Sequence, residues 1–170
     1  MEKSYDVKYL ATCGVATAIV CLVTMFLQVP SGVGGYVNLG DGVIYIFAAV
    51  LGNPIGFVCA GLGSALADLL LGYAVYAPFT LIIKGIMGFV VAFGCKNVTK
   101  YSARSCISIF LATIIMLIGY AITAYIMQGT MAAALASISS NFVQAIGGVV
   151  VYAVFVMPLT LAHRAVAKVE

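Results

Sequence analysis

The sequence predicts an all-α integral membrane protein, a single bundle of six transmembrane helices that covers residues 1–170 as one domain. Composition is the first reason: 64% of the 170 residues are hydrophobic and 8% are charged, whereas soluble domains carry about 25% charged residues. A soluble domain of this length has too small an interior to bury so much apolar sequence. The other two reasons are six apolar runs separated by turn signals and a one-sided distribution of basic residues.

The first half of the chain contains three apolar runs of different length. Helix 1 is expected over about residues 8–28, ahead of Pro30, and is long enough to cross a bilayer. Because this run exceeds the ~7–15 residues of a signal-peptide core, we expect it in the mature protein. Helix 2 begins near Asp41 and ends at a Gly-Asn-Pro turn. At about 12 residues it is too short to span upright. Helix 3 covers about residues 55–71.

The second half contains three more apolar runs, expected as helices 4, 5 and 6 over about residues 78–95, 106–127 and 141–161. Helix 4 begins with Pro78, and proline is favoured in the first turn of a helix. The small and polar segment 128–140 is expected to be a loop that can hold one helical turn. Folding helices 2 and 3 into one broken re-entrant pair would leave four or five spans instead of six.

Basic residues lie at alternate connections. Seven of the eight lysines and arginines fall in the N-terminal tail, the connection between helices 4 and 5, and the C-terminal tail: Lys3, Lys8, Lys96, Lys100, Arg104, Arg164 and Lys168. With six spans these segments share one side of the membrane, and the positive-inside rule places both termini in the cytoplasm. The net charge of +3 is too small for a nucleic-acid partner.

The sequence contains no recognisable catalytic or metal-binding constellation. The five cysteines have no CxxC or Cys/His spacing, and four of them lie within apolar runs. The single histidine, His163, lies in the C-terminal tail, far from the intramembrane charges. We therefore predict no catalytic residue, no metal and no cofactor, and a carboxylate-only intramembrane enzyme is the remaining enzymatic alternative.

Three charges lie within or beside apolar helices. Asp41 ends the polar loop PSGVGGYVNLGD (30–41), Asp68 lies near the end of helix 3, and Lys84 lies two turns into helix 4. The topology places all three in the outer layer of the membrane. A charge in hydrocarbon costs several kcal/mol unless it is paired. We expect Asp41 and Asp68 to form structural ion pairs, and which of them pairs with Lys84 is left open.

Further polar and aromatic residues are expected in the same layer. They come from the first loop, the connection between helices 3 and 4, and the outer ends of helices 5 and 6. Together with the lysine, the candidate substrate-binding residues are Tyr36, Asn38, Tyr76, Thr80, Lys84, Gln128, Asn141 and Gln144. Tyrosines at this depth also serve as interface anchors. Aromatic walls with several amides suit a small, planar, polar molecule, and the apolar inner half offers no polar path across the membrane.

Helix 1 carries small residues spaced by four. The pairs are Thr12 with Ala16 and Gly14 with Ala18, and such spacing lets another helix approach closely. Packing within the protein's own bundle is the alternative to docking on a partner protein.

Two motifs resemble a known family. YVNLGD after a Pro/Gly loop, followed by GSALADLLLGYAVYAPFTLIIKG, resembles the substrate-binding S component of energy-coupling factor (ECF) vitamin transporters. The branch it resembles is the one associated with riboflavin, pyridoxine or hydroxymethylpyrimidine. The strict Ala-x-x-x-Ala motif that this family often has on helix 1 is absent.

The resemblance implies a non-enzymatic transport subunit in the plasma membrane of a prokaryote. It implies a vitamin site near the extracellular face, with the first loop as a lid. It also implies docking through helix 1 on a transmembrane coupling protein, which is joined to two cytoplasmic ATPase subunits. ATP hydrolysis would then topple the whole S component in the membrane.

The sequence leaves two size classes of substrate as alternatives. The short, glycine-rich first loop favours a pyridoxine- or hydroxymethylpyrimidine-like ligand, and riboflavin is the alternative. An autonomous membrane carrier or channel is a further alternative, which uptake by the protein alone would support.

Overall fold

The structure, a computed structural model, describes residues 7–31, 35–95 and 102–167. Within these ranges the elements are α1 (Val7–Phe26), β1 (Gln28–Pro30), β2 (Tyr36–Asn38), α2 (Gly40–Leu51), α3 (Ile55–Leu70), α4 (Ala77–Gly94), α5 (Ala103–Gln128) and α6 (Met131–Ala167). The all-α architecture with six helices is confirmed. Successive helices run in alternating directions, so β1, β2 and the α3–α4 and α5–α6 connections share one end of the bundle, the hairpin end.

Four helices are long and apolar enough to cross a membrane: α1, α4, α5 and residues 131–156 of α6. The other two are shorter, with 12 residues in α2 and 16 in α3. At 1.5 Å per residue, α3 is about 24 Å long, less than the ~30 Å hydrocarbon thickness. The short second helix is therefore confirmed, and helix 3 is short as well.

The first polar loop contains a small antiparallel ladder that the sequence analysis did not predict. β1 pairs with β2 so that Gln28 faces Asn38 and Pro30 faces Tyr36. Two further backbone hydrogen bonds extend this pairing, one at each end of the ladder. Val29 and Val37 are opposite each other, and β-branched residues favour an extended backbone. The tip of the loop, residues 32–34, lies outside the described residues.

Helices 5 and 6 are longer than the sequence analysis predicted. The loop expected over 128–140 is wrong, because α6 begins at Met131. The segment is rich in alanine, the strongest helix former, and the Thr130 hydroxyl accepts a hydrogen bond from the backbone N of Ala133. Serine hydroxyls of this segment form hydrogen bonds with backbone carbonyls of the same helix. Ser140, for example, donates to the Ala136 carbonyl. Helix α6 also continues through Pro158 to Ala167.

The short helix α2 lies at the centre of the bundle. Ile44, Tyr45 and Ala48 are fully buried, and the Tyr45 ring packs edge-on against Tyr152 of α6 at 6.4 Å between centroids. The long helices instead expose large apolar side chains, such as Val7 and Phe26 of α1 at 78% each. A bundle with an apolar exterior is suited to hydrocarbon rather than to water.

Candidate ligand-binding site

A buried ion pair lies at the hairpin end of the bundle. Lys84 Nζ of α4 donates to Asp41 Oδ1 at the start of α2, and both residues are at most 2% exposed. The ammonium group also contacts Met116 Sδ at 3.3 Å and lies 5.4 Å from the centre of the Tyr120 ring. The partner of Lys84, left open by the sequence, is therefore Asp41.

Gln144 connects this ion pair to the hairpin. Its Nε2 donates to Asp41 Oδ2 at 2.7 Å. Its Oε1 accepts from the backbone N of Asn38 at 3.0 Å, and the Asn38 side-chain amide lies 3.4 Å from the same oxygen. Asn38 Oδ1 in turn accepts from Gly40 N. Strand β2 is thus tied to α2 and α6 by one buried chain of polar contacts.

Asp68 of α3 has a different partner. The Tyr36 phenol of β2 donates to Asp68 Oδ1 at 2.6 Å, and within 7–31, 35–95 and 102–167 Asp68 forms no ion pair. The expectation of an ion pair at Asp68 is therefore not met. Burial, reinforced by the Asp68 carboxylate, raises the pKa of Tyr36 above its ordinary value, so the phenol stays protonated and remains a donor.

Tyrosine rings cover the outer side of this polar cluster. Tyr36 and Tyr73 lie 5.1 Å apart between ring centroids, and Tyr73 and Tyr76 lie 6.4 Å apart. Deeper in the bundle, the Tyr120 hydroxyl donates to Thr80 Oγ1 at 3.1 Å. The aromatic side chains therefore provide walls on which a planar ligand could stack.

These groups surround a cavity of about 60 Å³. Seven of the eight candidate binding residues line it: Tyr36, Asn38, Tyr76, Thr80, Lys84, Asn141 and Gln144. The eighth, Gln128, is exposed at the end of α5 and is not part of the lining. Asn141 donates from its amide to the carbonyl and hydroxyl oxygens of Ser137, one turn earlier in α6.

The cavity also contains residues that the sequence analysis missed. Among them are Thr24, Ser64, Tyr120, Ser137 and Ser140. Ser64 could have been found from its spacing, since it precedes Asp68 by four residues and so lies on the same face of α3. The two α6 serines were missed because their segment was predicted to be a loop.

The small residues of α1 face different environments. Ala16 is 2% exposed and packs with Ile55 and Cys59 inside the bundle. Thr12, Gly14 and Ala18 are exposed, and a Cβ built at Gly14 would have no atom within 4 Å. The pair Gly14 and Ala18 thus lies on the outside, whereas the pair Thr12 and Ala16 is divided between surface and core.

The candidate site is built from hydrogen-bonding groups rather than metal ligands. Among residues 7–31, 35–95 and 102–167, no three His, Cys, Asp or Glu side chains are placed to hold a metal ion. The groups that line the cavity are hydroxyls, amides, one lysine and one carboxylate.

The sequence of this chain is similar to a known protein family and to a protein from an archaeon. A family model described as "ECF-type riboflavin transporter, S component" matches residues 4–161. A protein of Pyrococcus woesei, described as "Uncharacterized protein in gap 3'region", is 37% identical over 133 residues. That alignment covers 78% of this chain and 88% of the relative.

Proposed function

The chain belongs to the S component family of ECF-type riboflavin transporters, and from this membership we propose that it captures a small water-soluble vitamin or vitamin precursor for import. As a member of this family it is a transport subunit and not an enzyme. The observation that supports vitamin capture is the buried polar cavity at the hairpin end, lined by tyrosines, amides and Lys84. Such a combination of aromatic walls with a few fixed polar groups is typical of small-molecule sites.

We place the hairpin end on the extracellular side. The start of α1, the end of α4, the start of α5 and the end of α6 lie at the other end. In the sequence, seven of the eight basic residues lie within or next to these helix ends. The positive-inside rule puts that end in the cytoplasm. A vitamin would therefore reach the cavity from outside a prokaryotic cell.

The size of the cavity bears on the ligand. Its volume is about 60 Å³, whereas sites for drug-sized ligands measure roughly 300–1,000 Å³. A vitamin can bind only if side chains on the outer side of the cavity, such as Tyr36 and Tyr73, move apart. A one-ring molecule resembling pyridoxine or hydroxymethylpyrimidine needs less expansion than three-ring riboflavin. Riboflavin is the second candidate, supported by the description of the matching family model.

The partners we propose are a transmembrane coupling protein and two cytoplasmic ATPase subunits. The docking surface on this chain would be the exposed small-residue face of α1, with Gly14 and Ala18 at its centre and Thr12 at its border. Ala16 supports this face from inside the bundle. Small residues let the backbones of two helices approach closely in lipid, where packing drives association.

Ligand titration of the purified protein tests vitamin capture. We expect sub-micromolar binding of one compound among riboflavin, pyridoxine and 4-amino-5-hydroxymethyl-2-methylpyrimidine, measured by calorimetry. Asn141→Ala should weaken that binding about tenfold, because a half-buried amide that lines the cavity then no longer contacts the ligand. Asn53→Ala is the matched control, since Asn53 is an exposed asparagine at the opposite end whose amide donates to Phe89 O.

Two results would contradict the proposal. Absence of binding for all three compounds would remove vitamin capture as the function. ATP-independent uptake of a vitamin into liposomes that contain this protein alone would instead support an autonomous carrier.

A further inference from the structure

Three buried side-chain oxygens at the cavity have no hydrogen-bond partner among residues 7–31, 35–95 and 102–167. They are Asp68 Oδ2, Ser64 Oγ and Thr24 Oγ1, and all three residues line the cavity. Each residue is at most 3% exposed, so bulk water does not reach them. Buried polar atoms in folded proteins are almost always hydrogen-bonded. Unpartnered oxygens that face a cavity are therefore available to a ligand atom or to a bound water that a ligand can displace.

The three oxygens come from two helices that pack together. Ser64 and Asp68 are one turn apart on the same face of α3, and Thr24 lies at the hairpin end of α1, which packs against α3. We call these three residues the Asp68 subsite. The Thr80 hydroxyl also faces the Asp68 carboxylate, but it does not form a hydrogen bond to Oδ2.

The charges around the cavity are unequal. The positive charge of Lys84 is neutralised by Asp41, whose second oxygen is already bonded to Gln144. Among the described residues, Asp68 accepts a hydrogen bond from the Tyr36 phenol, faces the Thr80 hydroxyl and forms no ion pair. Of the described ionisable groups in this cluster, one carboxylate is therefore left without a cation. A buried charge is stable only when a partner compensates it.

We propose that Asp68 Oδ2 binds a hydrogen-bond donor of the ligand, such as a hydroxyl, an amino group or a protonated ring nitrogen. Ser64 and Thr24 supply further hydrogen bonds to the same part of the ligand. Among the described residues of the cluster the lysine is already paired with Asp41, and Asp68 is a carboxylate without an ion-pair partner. No described cation is therefore free to bind a phosphate group, so the site takes a neutral or cationic vitamin and rejects the anionic phosphate ester of that vitamin. This inference rests on the proposed function, since it specifies the chemistry of the same site.

Paired titrations of the full-length purified protein test the charge selectivity. The probes are riboflavin and riboflavin 5′-phosphate, pyridoxine and pyridoxine 5′-phosphate, and hydroxymethylpyrimidine and its phosphate. We expect the vitamin that binds to do so at least about 100-fold more tightly than its phosphate ester. Equal or tighter binding of the phosphate ester would overturn the inference.

Two substitutions test the role of the subsite itself. Asp68→Asn keeps the shape of the side chain and its contact with Tyr36 but removes the charge. It should weaken vitamin binding at least about tenfold, as expected when a hydrogen bond to a charged group is lost, and it should narrow the discrimination against the phosphate ester. A merely structural role for Asp68 would weaken both ligands equally.

Ser64→Ala should weaken vitamin binding about three- to tenfold, and it keeps the test decisive if the Asp68 variant does not fold. Ser108→Ala is the control, because Ser108 is a buried serine outside the cavity and should leave binding unchanged. Unchanged vitamin affinity in Asp68→Asn would overturn this inference but not the proposed function. If Asp68→Asn does not fold, unchanged vitamin affinity in Ser64→Ala would do the same. If the wild-type protein binds none of the three vitamins, the proposed function itself fails.

Discussion

Lys84, Asp41 and Gln144 form a chain of polar contacts inside an apolar bundle. Taking two charges out of water is costly, and their mutual attraction compensates only when the remaining hydrogen-bonding capacity is also satisfied. Here Asp41 uses both oxygens, one for Lys84 and one for Gln144. The chain then continues to the backbone of Asn38. At the residue scale, the pair therefore acts as a structural pin that also holds strand β2 beside the cavity.

Removing the lysine alone should be strongly destabilising. Lys84→Met leaves Asp41 buried without a cation, and we expect the free energy of unfolding to fall by about 3–5 kcal/mol. Adding Asp41→Asn to the same variant should recover a large part of this loss, because no uncompensated charge then remains. The measurement is unfolding of the detergent-solubilised protein by denaturant.

Lys8→Met provides the control for this experiment. Lys8 is an exposed lysine at the opposite end of the bundle, and its replacement should change stability by less than about 0.5 kcal/mol. A double variant as unstable as Lys84→Met alone would show that lost packing, and not the uncompensated charge, causes the effect.

At the residue scale, the sequence predicted how deep the charged residues lie in the membrane, but it did not predict which of them form an ion pair. The topology correctly brought Asp41, Asp68 and Lys84 to the same end of the bundle. The choice of partner depends on how α2 and α3 rotate about their own axes, and on the position of Gln144 in α6. Neither quantity can be obtained from the spacing of charges along the chain.

At the scale of helices, glycines set the distance between α3 and α4. A Cβ at Gly88 would contact the Gly56 carbonyl oxygen and would lie 2.7 Å from the Cβ of Ala60. A Cβ at Gly61 would lie 2.7 Å from the carbonyl oxygen of Leu81. Both separations are shorter than van der Waals contact, and the obstructing atoms at Gly56 and Leu81 belong to the backbone. This close approach places the Asp68 face of α3 beside Lys84 and Thr80 of α4.

Gly88→Ala should therefore destabilise the bundle by about 1–3 kcal/mol, the usual cost of overpacking. Gly14→Ala is the matched control, because a Cβ at Gly14 meets nothing within 4 Å. That control should be neutral or stabilising by up to about 1 kcal/mol, since alanine favours a helix over glycine. Thermal unfolding of both variants in the same detergent measures the difference. Equal stability of the two would contradict the close α3–α4 contact.

Sequence patterns were less reliable at the ends of elements than for their number. The hairpin of residues 28–30 and 36–38 was missed because three-residue strands lack a measurable alternation of apolar and polar residues. The start of α6 was missed because polarity was taken to indicate a loop. In fact the serines there bond to the carbonyls of their own helix, as Ser140 does. The long apolar runs were correctly predicted to be helices, because in lipid a helix satisfies its backbone hydrogen bonds within one segment.

At the scale of the whole molecule, polar groups are concentrated at the hairpin end. The core toward the opposite end is formed by side chains such as Met87, Val91, Ile109 and Ala112, all less than 10% exposed. Apolar side chains thus dominate this part of the described core, which does not favour a polar path for a transported solute. In our proposal the protein moves as a body, driven by partners that dock on α1, and such a movement needs no polar path from the cavity through the bundle.

The docking surface on α1 leads to a prediction that separates ligand binding from assembly. Gly14→Leu adds a large side chain to an exposed face where no described atom lies within 4 Å of a Cβ at this position. Vitamin affinity should therefore stay within about twofold of wild type. Stability should be unchanged or higher by up to about 1 kcal/mol, because leucine favours a helix over glycine. Close packing of a partner helix against this face would be blocked. We therefore expect co-purification with the coupling protein and ATPases to fall at least about tenfold.

Two further variants determine whether the effect is specific to this face. Ala132→Leu enlarges an exposed small residue of α6 and should leave co-purification unchanged, because α6 lies outside the proposed surface. Ala16→Leu enlarges a residue that packs with Ile55 and Cys59, so it should lower stability and ligand binding together. Normal assembly of the Gly14→Leu variant would move the docking surface to another helix. It would leave the vitamin site intact, because the Asp68 and Lys84 groups lie at the hairpin end, beyond the reach of a side chain at residue 14.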